Sequence, residues 1–383
     1  MTVLIDYTKG FFETTEGDTV GTVTGNATLD LSTGSVFSHT PTANTTFAFT
    51  NPAASGTSSS ATLKLTGANV TAGYNLANVS YDSVSFSGAT QSSGMNTFSL
   101  GYEGSRLYMV DSTNDTIYQY NLTTPYDIST ASYSTKSFSV ATQEGSPSGI
   151  YFKPDGQTVF VGGYSSDTIY QYSLSTAWDI SSASYASKSF SVSAQETVPR
   201  NFWVNPAGTK LFSVGQTGDD VNEYTLSSAW DISTASYTQN FSVAAQDTTP
   251  IGIYFSPAGD KMFIAGSVGD SVYQYTLSTA LDISTASYDS IAFSISGQDN
   301  SPIGVAFNGT GSKMYVVGAT SDTVYQYSIN TTALATITYP SSVIWSGGTT
   351  PTAPANGETD VYSFYTDDGG TTYYGFVSGD ALA

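Results

Sequence analysis

The stretch "YQYSLSTAWDISSASY", from Tyr170 to Tyr185, recurs almost unchanged from Tyr118, from Val221 and from Tyr273. From Tyr325 it begins again as "YQYSIN" and stops. Its missing second half stands alone near residue 74, as "YNLANVSYDSVSFS". A Ser-Tyr anchor keeps the period at Tyr81, Tyr133, Tyr185, Tyr237 and Tyr288, with spacings of 52, 52, 52 and 51. A turn aspartate (Asp115, Asp167, Asp219, Asp270, Asp322) and a turn glycine (Gly104, Gly156, Gly208, Gly259, Gly311) keep it too. A period of this length means stacked supersecondary units, and it dictates most of what the chain can become.

Each copy reads as four short strands. In the second, "GIYF" is strand A, "PDG" a tight turn with Gly156 at positive φ, "TVFVGG" strand B and "SSD" the next turn. "TIYQYSL" is strand C, rich in β-branched and aromatic residues, "STAWDISS" a longer turn and "ASYASKSFSV" strand D. Four strands in about 50 residues, repeated without linkers, predict a β-propeller blade. The fifth copy has A, B and C but lacks D, and the orphan near residue 74 is a D strand. Pairing of residues 78–88 with residues 322–329 closes a ring of five blades and removes the sheet edges a linear array would expose.

Residues on either side of the repeat read as further short strands: "NATLDLS", "SVFSHT", "TTFAFT" and "SATLKLTG" before it, "LATITYP", "SVIWSG", "TDVYSFYT" and "TTYYGFVS" after it. "TDDGGTT" is a hairpin turn. The predicted fold is all-β: a five-bladed β-propeller, residues 74–332, inserted into a β-sandwich base domain made of residues 21–73 plus 333–383. Residues 1–20 are expected to form an N-terminal arm, with "GFFET" anchoring it on a neighbour. With the propeller deleted, "TLKLTG" runs into "ATITYP", so a hairpin is expected at the insertion point. Entry and exit at one corner turn the D-to-A loops away from the base.

Composition narrows the function. Charged residues are 11% of the chain and the net charge is -21. Such a surface repels nucleic acid and anionic membranes. Cysteine is absent and histidine occurs once, at His39, which removes thiolate and His-pair metal sites and disfavours a Ser-His-Asp triad. "MTVLIDYTKG" lacks the apolar run of a signal peptide, and no stretch reaches transmembrane length, so no membrane insertion is expected.

The last residues, "YPSSVIWSGGTTPTAPANGETDVYSFYTDDGGTTYYGF", resemble the C-terminal segment of tail-fibre and other virion proteins of tailed bacteriophages. There a "P-S-S-V-x-W" strand, a "G-G-T-x-P" turn and a terminal "D-G-G-T-T-x-Y-G-F" hairpin occur together. "GNATLDLSTGSVFSHTPTANTTFAFTNPAASG" is similar to the front half of that module. The resemblance covers about 100 residues, all in the base. It implies a virion structural protein, made in the host cytoplasm and contacting other virion proteins through its base. By the same resemblance it implies a homo-oligomer, with a trimer favoured. A tail-fibre or spike component touching a host glycan or protein is the first expectation. A capsid (head) decoration protein and a bacterial lectin-like adhesin are the alternatives.

No enzyme is expected. Five-bladed propeller glycosidases place a carboxylate pair on inner strands. Here those strands read "TFSLG", "SGIYFK", "RNFWVN", "IGIYFS" and "IGVAFN", without Asp, Glu or His. Arg200 is the odd residue among them, either paired with a nearby acid or touching a ligand. The D-to-A loops carry Gln143-Glu144, Gln195-Glu196, Gln246-Asp247 and Gln298-Asp299. Either Gln bonds the next blade while a solvated acid idles, or the ring binds a cation, calcium by its hard oxygens, or a glycan. Tyr126, Trp178 and Trp230 precede the aspartates of the C-to-D turns and are expected to pack. Asp127, Asp179, Asp231 and Asp282 are expected in Asx-turns.

Overall fold

The computed structural model describes every residue except 1, 7–9, 15–21, 24–25, 42–44, 72, 92, 331 and 383, and describes no side chains for residues 1–26, 69–72 and 331–334. The chain divides into two compact units, residues 72–331 and residues 1–71 with 332–383.

The larger unit is a five-bladed propeller. Blade 1 runs Met95–Gly101, Arg106–Asp111, Thr116–Leu122 and Ala131–Ser139, as antiparallel strands A to D. Blades 2, 3 and 4 start at Pro147, Pro199 and Pro250 and repeat this order. Blade 5 takes A, B and C from Pro302–Phe307, Lys313–Gly318 and Thr323–Ile329, and D from Val79–Ser87. The register sets Tyr81 opposite Tyr327 and Phe86 opposite Val324. Asp82 locks this seam. Lys313 Nζ lies 2.6 Å from it, Ser328 donates at 2.6 Å and Gln326 at 3.0 Å. Burial opposes ionisation of Asp82, but these donors outweigh it and hold the carboxyl below its ordinary range. In blade 4 Asp289 is bound in the same way by Lys261, Thr276 and Gln274.

Neighbouring blades are stapled by one repeated bond. The strand C glutamines Gln119, Gln171, Gln274 and Gln326 accept from the backbone N–H of Ile180, Ile232, Leu76 and Ile128 in the next blade's C-to-D turn. Those turns are capped by Asp127, Asp179, Asp231 and Asp282, each accepting from the N–H two residues on. Tyr126, Trp178, Trp230, Leu281 and Tyr74 lie over the A-to-B turn glycines of their own blades. A Cβ on Gly104, Gly156, Gly208, Gly259 or Gly311 would stand 2.4–2.5 Å from them. These glycines also have φ between +68° and +81°, so both space and backbone require glycine.

The smaller unit has two sheets. One orders Thr22–Val23, Asn26–Asp30, Thr45–Thr50 and Ile337–Thr338; the other orders Val343–Trp345, Tyr373–Leu382, Thr359–Thr366, Ser59–Thr66 and Val36–His39. Leu29 and Phe47 from the first share one core with Phe37, Leu63, Trp345, Tyr362 and Phe364 from the second. His39 belongs to this core, edge-on to Phe47 at 5.4 Å. The hairpin expected between "TLKLTG" and "ATITYP" is absent: Ser59–Thr66 and Ile337–Thr338 lie in different sheets. Instead Asn69–Thr71 pairs with Thr332–Leu334 as a two-stranded stalk where the insertion begins and ends. In the expected arm, Thr2–Asp6 pairs with Gly10–Thr14. The anchoring contact expected of "GFFET" lies outside the described residues.

Candidate functional site

The inner strands stand close around the ring axis. At the waist, Asn201 Nδ2 of blade 3 donates to Thr97 Oγ1 of blade 1 across the channel, at 3.2 Å. Gly149, Gly252 and Gly304 hold the same repeat position. A Cβ on Gly252 would stand 3.0 Å from the Gly304 Cα, and one on Gly149 2.7 Å from the Phe202 ring. The waist narrows the channel, so above it lies a funnel rather than a pore. The funnel opens where the A-to-B and C-to-D turns lie, with a volume of about 730 Å³.

Its wall is lopsided. One repeat position supplies Ser99, Tyr151, Trp203, Tyr254 and Ala306 from blades 1 to 5, so three large rings face two small residues. Tyr151 meets Trp203 edge-on at 6.1 Å, and Tyr254 lies 5.0 Å from Phe307. Burial pushes both tyrosine hydroxyls up, so they remain neutral donors at ordinary pH. The rim is also uneven. Pro154, Pro206 and Pro257 occupy it in blades 2 to 4, whereas blade 1 supplies Tyr102 and Glu103, at φ of 48° and 52°. Tyr102 is 54% exposed, lies 6.1 Å from Trp178 and carries the Arg106 guanidinium 5.5 Å from its ring centroid. Among the described residues, Glu103 is the only acid in the lining, which contains no Lys, Arg or His. Aromatic walls with several hydroxyls and one carboxylate suit a compact uncharged ring.

The loop acids expected to form a solvated ring are turned inward. Glu144, Glu196, Asp247 and Asp299 are 1%, 0%, 3% and 5% exposed. Glu144 accepts from the N–H groups of Ser146, Ser165 and Ser166. Glu196 accepts from those of Val198, Thr217 and Gly218. Asp247 binds Thr249 and Gly269, and Asp299 binds Ser301 and Ser321. These oxygens tie the D-to-A loop to the B-to-C turn. The glutamines face inward as well: Gln143, Gln246 and Gln298 accept from the hydroxyls of Tyr172, Tyr275 and Tyr327. Gln195 has no such bond to Tyr224, whose buried hydroxyl lies beside Ser213 instead. Among the described residues, no group of three or more His, Asp or Glu is arranged to hold a metal ion. Arg200 stands apart from the funnel, over the Tyr164 ring at 4.8 Å.

A sequence signal did mark the loop acids. Strand B ends in Gly163, Gly215, Gly266 and Gly318 in blades 2 to 5, where a Cβ would stand 2.2–2.6 Å from the acid side chain. Blade 1 has no loop acid, and there strand B ends in Asp111. Its carboxylate takes up the bonds itself, from Thr113 N and Asn114 Nδ2. That exchange of glycine for acid is visible in the repeat alone. So are the departures at Ser99, Tyr102 and Ala306, which mark the funnel.

A five-bladed β-propeller with a blind aromatic funnel is the class that fold and site define. Residues 97–231 match the model of the lactonase family, described as a seven-bladed β-propeller. Solved structures similar to this chain include a putative 6-phosphogluconolactonase from Bacteroides uniformis, at 12% identity over 62% of this chain and 70% of that one, with a TM-score of 0.40. A functionally unknown protein from Desulfotomaculum acetoxidans matches at 13% identity over 76% and 84%, TM-score 0.39. The propeller domain of Cps50 (Swd1) from Myceliophteria thermophila matches at 9% identity over 67% and 99%, TM-score 0.38. No curated protein matches the sequence.

The lactonase match corrects two expectations: that the chain is a virion structural protein, decoration protein or adhesin, and that it is not an enzyme. The physical reason lies in the exclusion used. A glycosidic bond requires a carboxylate pair, and the inner strands lack one. A lactone is already an activated acyl group, whose hydrolysis needs one base and donors for the oxyanion.

Proposed function

We propose that the propeller hydrolyses small uncharged lactones in the funnel. The observation that carries this reading is the coincidence of two stretches. The segment matching the lactonase model, residues 97–231, contains Ser99, Glu103, Tyr151, Trp178 and Trp203, which line the funnel. The rings of Tyr151, Trp203 and Tyr254 hold the faces of the lactone. The gap at Ser99 and Ala306 admits its substituents. Glu103 takes a proton from water as the water adds to the carbonyl carbon. The hydroxyls of Ser99 and Tyr151 donate to the oxyanion that forms, and the proton returns to the ring oxygen as the C–O bond opens. A lining with one carboxylate and no cation disfavours phosphorylated or carboxylated lactones.

The test is acid release in a pH-stat with δ-valerolactone, glucono-δ-lactone and 6-phosphogluconolactone. Turnover of the uncharged lactones is expected, with kcat/KM falling about 100-fold or more in Glu103→Gln. If the whole panel hydrolyses no faster than in buffer, the hydrolase reading is overturned. Quenching of tryptophan fluorescence without turnover would leave a binding site only.

A further inference from the structure

Blade 3 breaks the repeat at a second place, away from the funnel. At the fourth residue of strand B the other blades bury Met109, Val161, Ile264 and Val316, while blade 3 has Ser213. Across the interface, blade 2 has Gly162 where the other blades have Val110, Val214, Ala265 and Val317. The two reductions border one cavity of about 10 Å³, which Arg200 also lines. That volume holds one atom-sized guest.

The polar atoms around it are short of partners. Arg200 Nε is buried without a hydrogen bond, and the buried Ser213 hydroxyl has the neighbouring Tyr224 hydroxyl beside it and no other partner among the described residues. The register places Ser213 and Tyr224 on one face of the blade, since Leu211, two residues before Ser213, pairs with Tyr224; Arg200 sits at the bulge of strand A beside the cavity. Arg200 Nε and the Ser213 hydroxyl can each donate, and a buried donor left unmatched is destabilising. Lys136, Lys153, Lys188, Lys210, Lys261 and Lys313 each lie within 3.1 Å of a carboxylate. Arg200 has no ion pair among the described residues and rests on Tyr164 instead. Arg106 likewise rests on a tyrosine without an ion pair among the described residues, but of the two arginines it is Arg200 that borders the cavity and keeps a buried Nε without a hydrogen bond.

We propose that this cleft between blades 2 and 3 binds a halide-sized monoanion, held by Arg200 Nε and the Ser213 hydroxyl. A halide accepts from every donor converging there. A water would bring two donors of its own to a site already rich in them. The site is independent of the lactonase reading, and its test does not involve turnover.

The experiment compares thermal unfolding in sodium chloride and sodium glutamate at equal ionic strength, so that screening cancels. Chloride is expected to raise Tm by about 2 °C more than glutamate, saturating in the millimolar range. Ser213→Val, which restores the residue blades 2 and 5 carry, should fold and lose the difference. Arg200→Met should lose it too. Crystals soaked in bromide should show an anomalous peak between Arg200 and Ser213. Equal chloride responses in the parent and Ser213→Val, or no anomalous peak, would overturn the proposal.

Discussion

The two ends of the propeller treat the same repeat in opposite ways. At the D-to-A end the repeated acids are buried, and their oxygens close one loop onto the next turn. At the A-to-B end the repeat fails in blades 1 and 5, and the failures gather at the funnel: Ser99, Tyr102 and Ala306. In a ring of near-identical units, what recurs serves packing common to all units. What departs is free to serve one place. A carboxylate recurring in four blades serves that common packing, whereas Glu103, whose blade 2 counterpart Asp155 is held by Lys153, lines the funnel.

The largest effect should come from removing a recurring acid. Glu196→Ala leaves the N–H groups of Val198, Thr217 and Gly218 buried without their acceptor. A loss of about 3 kcal/mol or more is expected in urea unfolding. A loss under about 1 kcal/mol would mean that the acid is dispensable and the contrast between the two ends false. The same comparison is sharpened by transplanting the blade 1 arrangement into blade 2. Gly163→Asp alone meets the Ser146 carbonyl at 2.3 Å and Glu144 at 2.6 Å and should cost about 2 kcal/mol or more. Glu144→Ser with Gly163→Asp should recover the part of that cost due to Glu144, giving a favourable coupling in a double-mutant cycle, while the backbone contact remains. Additive losses would show that Asp111 and the loop acids do different work.

Much of the ring was legible because its signals are local and repeated. Turn glycines, alternating strands and a split copy define five blades whatever the details of packing. The inward turn of Glu144 was harder to read, because an acid after glutamine in a polar loop looks solvated. Only the exchange of Gly163 for Asp111 betrays it. The funnel was missed for a different reason. A search of inner strands for paired acids passes over a site whose one acid, Glu103, sits in a turn. Ser99 and Ala306 matter by being small, which a motif search does not register. The smaller unit was less legible still, since its pairings depend on which sheet receives Ile337–Thr338, and no local signal says so.

Restoring the repeat at the funnel should be nearly harmless to the fold. Ser99→Tyr inserts the ring that Tyr151 and Tyr254 already supply at that level. It should shift stability by less than about 1 kcal/mol, since the position borders open space. Lactone hydrolysis should nonetheless fall about 10-fold or more, measured as kcat/KM. A variant that unfolds, or that keeps full activity, would break the claim that departures mark function.

The smallest effect concerns aspartates that recur at a cost. In blade 5, Asp322 Oδ1 accepts from the N–H of Met95 at 2.9 Å. The residues equivalent to Met95 are Pro147, Pro199, Pro250 and Pro302, which have no N–H to give. Of the aspartates facing them, Asp115, Asp167 and Asp219 each keep one buried oxygen without a partner, while Asp270 does not. Burial raises all three carboxyls, helped by Asp111 and Glu144 near Asp115, by Glu144 and Glu196 near Asp167, and by Glu196, Asp220 and Asp247 near Asp219. A raised folded-state value favours the protonated form, so the stability these groups contribute is present at low pH and lost as pH rises through that value. At neutral pH they are a small burden. Asn tolerates the φ of 49–50° at these positions and carries no charge. The triple variant Asp115→Asn, Asp167→Asn, Asp219→Asn should therefore gain about 1 kcal/mol at pH 7. Its stability should also fall more steeply in acid. Asp82, Asp179 and Asp289, whose carboxyls are lowered against the pull of burial by bound lysines and hydrogen-bond donors, still lose their contribution as pH drops, and nothing then offsets them. Urea midpoints from pH 3 to 7 measure both effects. Parallel curves for parent and variant would show that recurrence here carries no electrostatic cost.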